Sequence, residues 1–256
     1  MHRDTAYHRL HTLFTRVSQA LRVRALKLLC YRIIGDIPWV GRIYRSRFLI
    51  SRGRIHNRRL DLCIEGFPRS ANSFFTHWFL LLNPDAQVAH HSHDIECVRL
   101  ALDDRIPTII LIRNPLDAAT SWAVMTDSKE PVSCLESWII FYRWILKQPP
   151  SKYVLIAFSE ATRPTSKTIA KINSACGTHF LSSDKEDDVL YKMTRERIKN
   201  HAKQNWEAGD HARNIPMPNK ERDQIKHRYR EKIKNAPALK EAEDLYNSLI
   251  LGSEDA

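Results

Sequence analysis

Two stretches of this chain carry side chains that can hold an anion, and a third carries side chains that can move a proton. The first runs Phe67-Pro-Arg-Ser-Ala-Asn-Ser-Phe74, where Arg69, Ser70, Asn72 and Ser73 crowd guanidinium, hydroxyl and amide donors into one short turn. The second runs Arg113-Asn-Pro-Leu-Asp-Ala-Ala-Thr-Ser121, with Arg113 and Ser121 eight positions apart. A guanidinium offers parallel N–H donors to an oxyanion and stays charged throughout the physiological range. The third is His90-His-Ser-His93. Imidazole titrates near neutrality, which suits it to general acid–base work. A His-x-His pair can also bind a metal, but no Asp, Glu or Cys completes a convincing ligand set here.

The elements that must position these groups are legible on either side of them. Leu62, Cys63 and Ile64 form a short apolar run that Gly66 and Pro68 punctuate, and Ala71 to Leu82 follows as an apolar-rich helix. Strand, turn and helix in that order direct successive backbone N–H groups and a positive helix end at one spot, which makes an anion site. Ile106 to Ile112 is a second β-branched run that delivers Arg113 to a strand end. Pro115 suits a helix start and Leu116 to Met125 continues the helix, so Arg113 and Ser121 can pinch one phosphate from two sides. The histidines close the strand that begins near Ala86; with a period of two, His91 and His93 share a face and His90 takes the other. The Walker A pattern is not met, because neither its second Gly nor its Lys is present, so a nucleoside triphosphatase fits poorly.

Taken together, these segments resemble the two nucleotide-binding signatures of the sulfotransferase family, which uses 3′-phosphoadenosine-5′-phosphosulfate (PAPS). Pro68-Arg69-Ser70-Ala71-Asn72-Ser73 is similar to the family's Pro-Lys/Arg-Ser-Gly-Thr-Thr/Ser turn. Arg113, Pro115 and Ser121 match its Arg-x-Pro followed by Ser, and the likeness covers about Leu62 to Phe180. It implies a P-loop-like turn in which Arg69, Ser70, Ala71, Asn72, Ser73, Phe74, Arg113 and Ser121 bind PAPS, Phe74 standing where an aromatic stacks on adenine. It implies Arg69 as the cation at the sulfuryl group and His93, which overlies the His of a Lys-x-His motif, as the base, with His91 holding or tuning it. Phe158-Ser159-Glu160 takes the place of a Tyr-Glu-Asp segment. Departures are Ala71 for a glycine, Asn72 for a threonine, and residues 211–218 in place of an Arg-Lys-Gly form. Because alanine tolerates positive φ poorly, the turn is expected to use a conformation open to L-residues. The implied activity is in-line sulfuryl transfer to a hydroxyl or amine. Two other readings stand beside it: a non-catalytic nucleotide-binding or membrane-surface protein of the same fold, and a kinase-like phosphotransferase, against which the missing Lys and the Arg113…Ser121 pair both count.

Beyond the motifs, alternating apolar runs and helices predict an α/β fold, a parallel sheet flanked by helices. Val132 to Leu146 reads as a helix with an aromatic face (Trp138, Phe141, Tyr142, Trp144), mostly core with an edge toward the acceptor. A fourth strand follows at Tyr153–Phe158, then a helix from Thr165 to Ala175 closed by Gly177, and charged helices near 195–206 and 219–234. Of the net charge of +11, residues 1–60 carry +12, with fourteen Lys and Arg against two Asp, and the remainder carries −1. That segregation argues against a nucleic-acid binder, whose basic face would spread over the folded body. It also divides the chain into a basic N-terminal segment, 1–60, and an α/β domain, 61–256. Residues 8–34 form a basic amphipathic pattern, either packed on the domain or resting on an anionic membrane or a partner. The five cysteines are dispersed and read as buried hydrophobes, and with no apolar run long enough to span a membrane the expected location is cytoplasmic, with peripheral membrane contact as an option.

Overall fold

The computed structural model describes residues 60–205 and 220–254; the amphipathic stretch 8–34, the whole proposed N-terminal segment to residue 59, Cys30 and the 211–218 linker lie outside the described residues. Four parallel strands, β1 (Leu62–Gly66), β2 (Val88–His90), β3 (Thr108–Ile112) and β4 (Val154–Ala157), line up in the order β2-β1-β3-β4. In register, Ile64 sits opposite His90 on one side and Ile109 on the other. Helices connect the strands as parallel crossovers require: α1 (Asn72–Leu82), α2 (Ile95–Asp103), α3 (Pro115–Thr126) and α4 (Pro131–Leu146). After β4 come α5 (Phe158–Thr162), α6 (Ser166–Cys176), α7 (Asp187–Asn205), α8 (Lys220–Lys234) and α9 (Ala238–Glu254). The expected α/β architecture is therefore the observed one.

Strand alternation divides the core into two layers. Leu62, Ile64, Ile109, Leu111, Val154 and Ile156 pack against Phe75, Trp78 and Phe79 of α1, Ile169 and Ile172 of α6 and Leu190 of α7. Ile110, Ile112 and Leu155 point the other way, onto α2, α3, α4, α8 and α9 through residues such as Val98, Ala119, Leu135, Trp138 and Ile233. Both faces of β1 and β3 are covered, which is why they read as unbroken apolar runs. The exception is Glu65, fully buried in mid-sheet.

Local signals set the boundaries of the helices. Asn114 caps α3 by accepting from the Asp117 N–H with Pro115 in the first turn, Thr165 and Thr168 make a capping box on α6, and Gly177 ends α6 at φ 63°. Gly66 has a different reason to be glycine. A Cβ there would lie 2.4 Å from the Leu111 carbonyl oxygen, a backbone atom that cannot swing away. No helix among the described residues is long and apolar enough to cross a membrane.

Candidate active site at the carboxyl edge of the sheet

In an open parallel sheet, ligands settle beyond the carboxyl ends of the strands, where the strand order reverses. Here that point lies between β1 and β3, the two strands that carry the signature turns, with the histidines at the end of neighbouring β2.

The β1–α1 turn is held from below. Tyr142 of α4, fully buried, donates its hydroxyl to the Leu111 carbonyl at 2.6 Å and accepts the Phe67 N–H at 3.2 Å. Burial pushes this phenol well above its ordinary range, so it works as a neutral strut. Ser70 is also fully buried, its hydroxyl 3.5 Å from that of Tyr142, and the Asn72 amide donates across the turn to the Phe67 carbonyl at 3.1 Å. These two side chains close the loop from within. Arg69 and Ala71 both adopt left-handed φ, 72° and 73°. The expectation for Ala71 is thus overturned: the turn keeps the conformation a glycine would favour and places an alanine in it. Ala71 is also the N-cap of α1, with no side chain capping the helix, so the first-turn N–H groups keep their capacity for an outside acceptor.

The two arginine loops meet directly. Arg69 donates from Nε to the Ser121 hydroxyl at 2.9 Å and from a terminal nitrogen to Met125 Sδ at 3.7 Å. Arg113 donates to the Arg69 carbonyl at 3.1 Å and lies 4.1 Å above the Phe158 ring. Its own carbonyl accepts from the Trp138 indole at 3.2 Å. Burial pulls the Arg113 guanidinium down from its ordinary range, Asp117 opposes that, and Arg230 of α8 adds to it. The aromatic face of α4 is therefore core, as Trp138 and Tyr142 at 0 % exposure make plain, and it also supports both loops.

The histidines follow a different rule from strand alternation. β2 ends at His90 after three residues, and His91 and His93 turn the chain at left-handed φ of 61° and 55°. The period-two argument stops short of them, yet their rings lie 5.8 Å apart. His91 uses both ring nitrogens within the protein: Nε2 is 2.8 Å from the Ser73 hydroxyl and Nδ1 is 2.6 Å from His90 Nδ1. His93 instead places Nδ1 at 2.8 Å from the Gly66 carbonyl. A carbonyl only accepts, so Nδ1 carries the proton and a neutral His93 presents the Nε2 lone pair. Glu65 lies beneath, accepting from the Ser92 N–H and hydroxyl and from the His93 N–H. Neither Glu65 nor Tyr142 stood out in the sequence as a functional residue. A carboxylate inside a five-residue buried strand was the one available signal.

Beside the turn, Phe74, Trp78, Arg163, Thr165 and Tyr191 line an open cleft. The Phe74 ring packs 5.4 Å from Tyr191, which Arg163 covers from 4.5 Å. No cluster of His, Cys, Asp and Glu suited to a metal ion occurs among the described residues.

No family model matches the chain, and no curated protein does. Among solved structures, the mouse sulfotransferase SULT7A1 complexed with PAP is similar at 14% identity and a TM-score of 0.41, over 74% of this chain and 90% of that one. A likeness this distant bears on neither cofactor nor activity.

Proposed function

We propose that this chain transfers a sulfuryl group from PAPS to a hydroxyl or amine. The observation that carries the reading is the convergence of the two loops, Arg69 hydrogen-bonded to Ser121 and Arg113 to the Arg69 backbone, over the uncapped start of α1. Two guanidinium groups, a hydroxyl and a helix N-terminus then lie together at one sheet edge, which suits a ligand with phosphates at two positions.

Sulfuryl transfer has a loose, in-line transition state with negative charge growing on the leaving oxygen, as phosphoryl transfer does. The acceptor oxygen forms its bond to sulfur while the bond from sulfur to the bridging phosphate oxygen breaks. The acceptor proton passes to Nε2 of His93, and the bisphosphate leaves as a stable anion. Arg69 stabilises the charge on the bridging and equatorial oxygens without giving up a proton. His91, with both ring nitrogens already bonded, orients Ser73 and supports the loop.

The test is a thermal-shift titration with adenosine 3′,5′-bisphosphate, AMP and ATP with magnesium. Stabilisation by the bisphosphate well above that by AMP is the expected result. Equal shifts for bisphosphate and AMP remove the 3′-phosphate assignment, and a shift with ATP alone returns the kinase-like reading.

A further inference from the structure

We propose that Glu65 is the positioning residue for His93, a role that rests on reading His93 as the base. Glu65 is fully buried in the central strand, among apolar residues where a carboxylate has no local reason to be. Among the described residues, its hydrogen bonds run to the loop after β2. Oε1 accepts the Ser92 N–H and the Ser92 hydroxyl, each at 2.8 Å, and Oε2 accepts the His93 N–H at 3.0 Å. These bonds fix the backbone at the point where His93 takes a left-handed φ of 55°. That conformation carries the ring back over β1, where Nδ1 reaches the carbonyl of Gly66, the next residue along from Glu65.

The loop requires acceptors on both arms of the side chain. Glutamine has the same size and reach but only one acceptor arm. With its oxygen toward Ser92, its NH₂ group faces the His93 N–H, donor against donor. A second effect acts during turnover. When Nε2 takes the acceptor's proton, the ring becomes a cation, and Glu65 Oε2 stands 4.0 Å from its Nδ1. The carboxylate's charge is opposite in sign to the one that develops on the ring.

The experiment compares wild type, Glu65→Gln, His93→Ala and the double variant in the full chain, with PAPS as donor and water as acceptor. Glu65→Gln should lower turnover roughly 10²-fold, the scale of a small misplacement of a catalytic group, with the bisphosphate thermal shift unchanged. In the His93→Ala background it should cause no further loss, because it acts through that ring. Turnover near wild type, or an equal loss in both backgrounds, overturns the proposal. If wild type neither binds bisphosphate nor consumes PAPS, the sulfuryl reading fails and ring ¹⁵N spectra of His93 decide on Glu65. An Nδ1-protonated ring in wild type that becomes a tautomer mixture in Glu65→Gln supports it; identical spectra overturn it. Should Glu65→Gln fail to fold, Ser92→Ala removes one of the three bonds. It should cost about tenfold in turnover and loosen the same tautomer, and no change in either overturns the proposal.

Discussion

Arg113 is held by its surroundings to a degree that lysine could not match. Its guanidinium bonds to the Arg69 carbonyl and stacks on Phe158 at once. Losing a charged hydrogen-bond partner costs about 1.5–3 kcal/mol, so Arg113→Ala should weaken adenosine 3′,5′-bisphosphate binding roughly ten- to a hundredfold by calorimetric titration. Arg113→Lys should recover little of it, because an ammonium neither stacks nor forks. His93→Ala should separate affinity from rate: bisphosphate binding stays, while PAPS turnover falls about 10²–10⁴-fold, the usual contribution of a general base. If His91→Ala loses turnover and His93→Ala keeps it, the base is His91. At Gly66 the added methyl of Gly66→Ala meets the Leu111 carbonyl, the same atom that anchors Tyr142. About 1–3 kcal/mol of overpacking should appear as a lower melting temperature, together with weaker bisphosphate binding as the turn loses its strut.

Between helices, the contact of α1 with α7 carries a pH dependence of its own. Burial, His201 at a ring distance of 5.1 Å and Arg197 together lower His77 from 6.5 to about 4. A depressed histidine is favoured neutral in the fold, so its contribution to stability is complete above about pH 6.5 and is lost as pH falls from there toward 4. Thermal denaturation should show a melting temperature that drops across this window, and His77→Leu should flatten the drop. Other features of these elements were only partly legible in sequence. β1 and β3 declared themselves as buried apolar runs stopped by Gly66 and Arg113, and β4 as one that follows the Pro149-Pro150 break. α2 was given no bounds, although Cys97 falls in an apolar helical pattern: its polar face, Glu96, Arg99 and Asp103, is stitched by ion pairs at helical spacing that mask the apolar stripe of Cys97, Val98 and Ala101. α9 was missed, and α7 begins at Asp187, well before the helix expected near 195, because the Leu190, Thr194 and Ile198 stripe is sparse among charges. Arg69, Arg113 and Ser121, which meet here, were already candidates on the sequence and its resemblance. What holds the site could not be named, since Glu65 meets Ser92 27 positions away and Tyr142 meets Phe67 75 away, and no local pattern encodes such pairs.

Along the whole sequence, charge is unevenly placed. Residues 1–60 hold +12 and the rest −1, so a chain lacking residues 1–60 should lose retention on a cation exchanger and keep its bisphosphate-induced thermal shift. Loss of that shift would make the basic segment part of the binding domain. The sheet itself has two open sides among the described residues, β2 with three residues and β4 with four. An open strand is a template on which a second chain can polymerise, and brevity is one defence against it. β2 is cut short where His91 and His93 swing out of extended backbone. The turn that sets out the imidazoles thereby also denies a foreign strand its footing. Replacing both histidines with β-branched residues would favour extended backbone there, lengthening the template. Such a variant should form thioflavin-positive aggregates under conditions in which single alanine substitutions stay dispersed, tying colloidal behaviour to the geometry of the histidine turn.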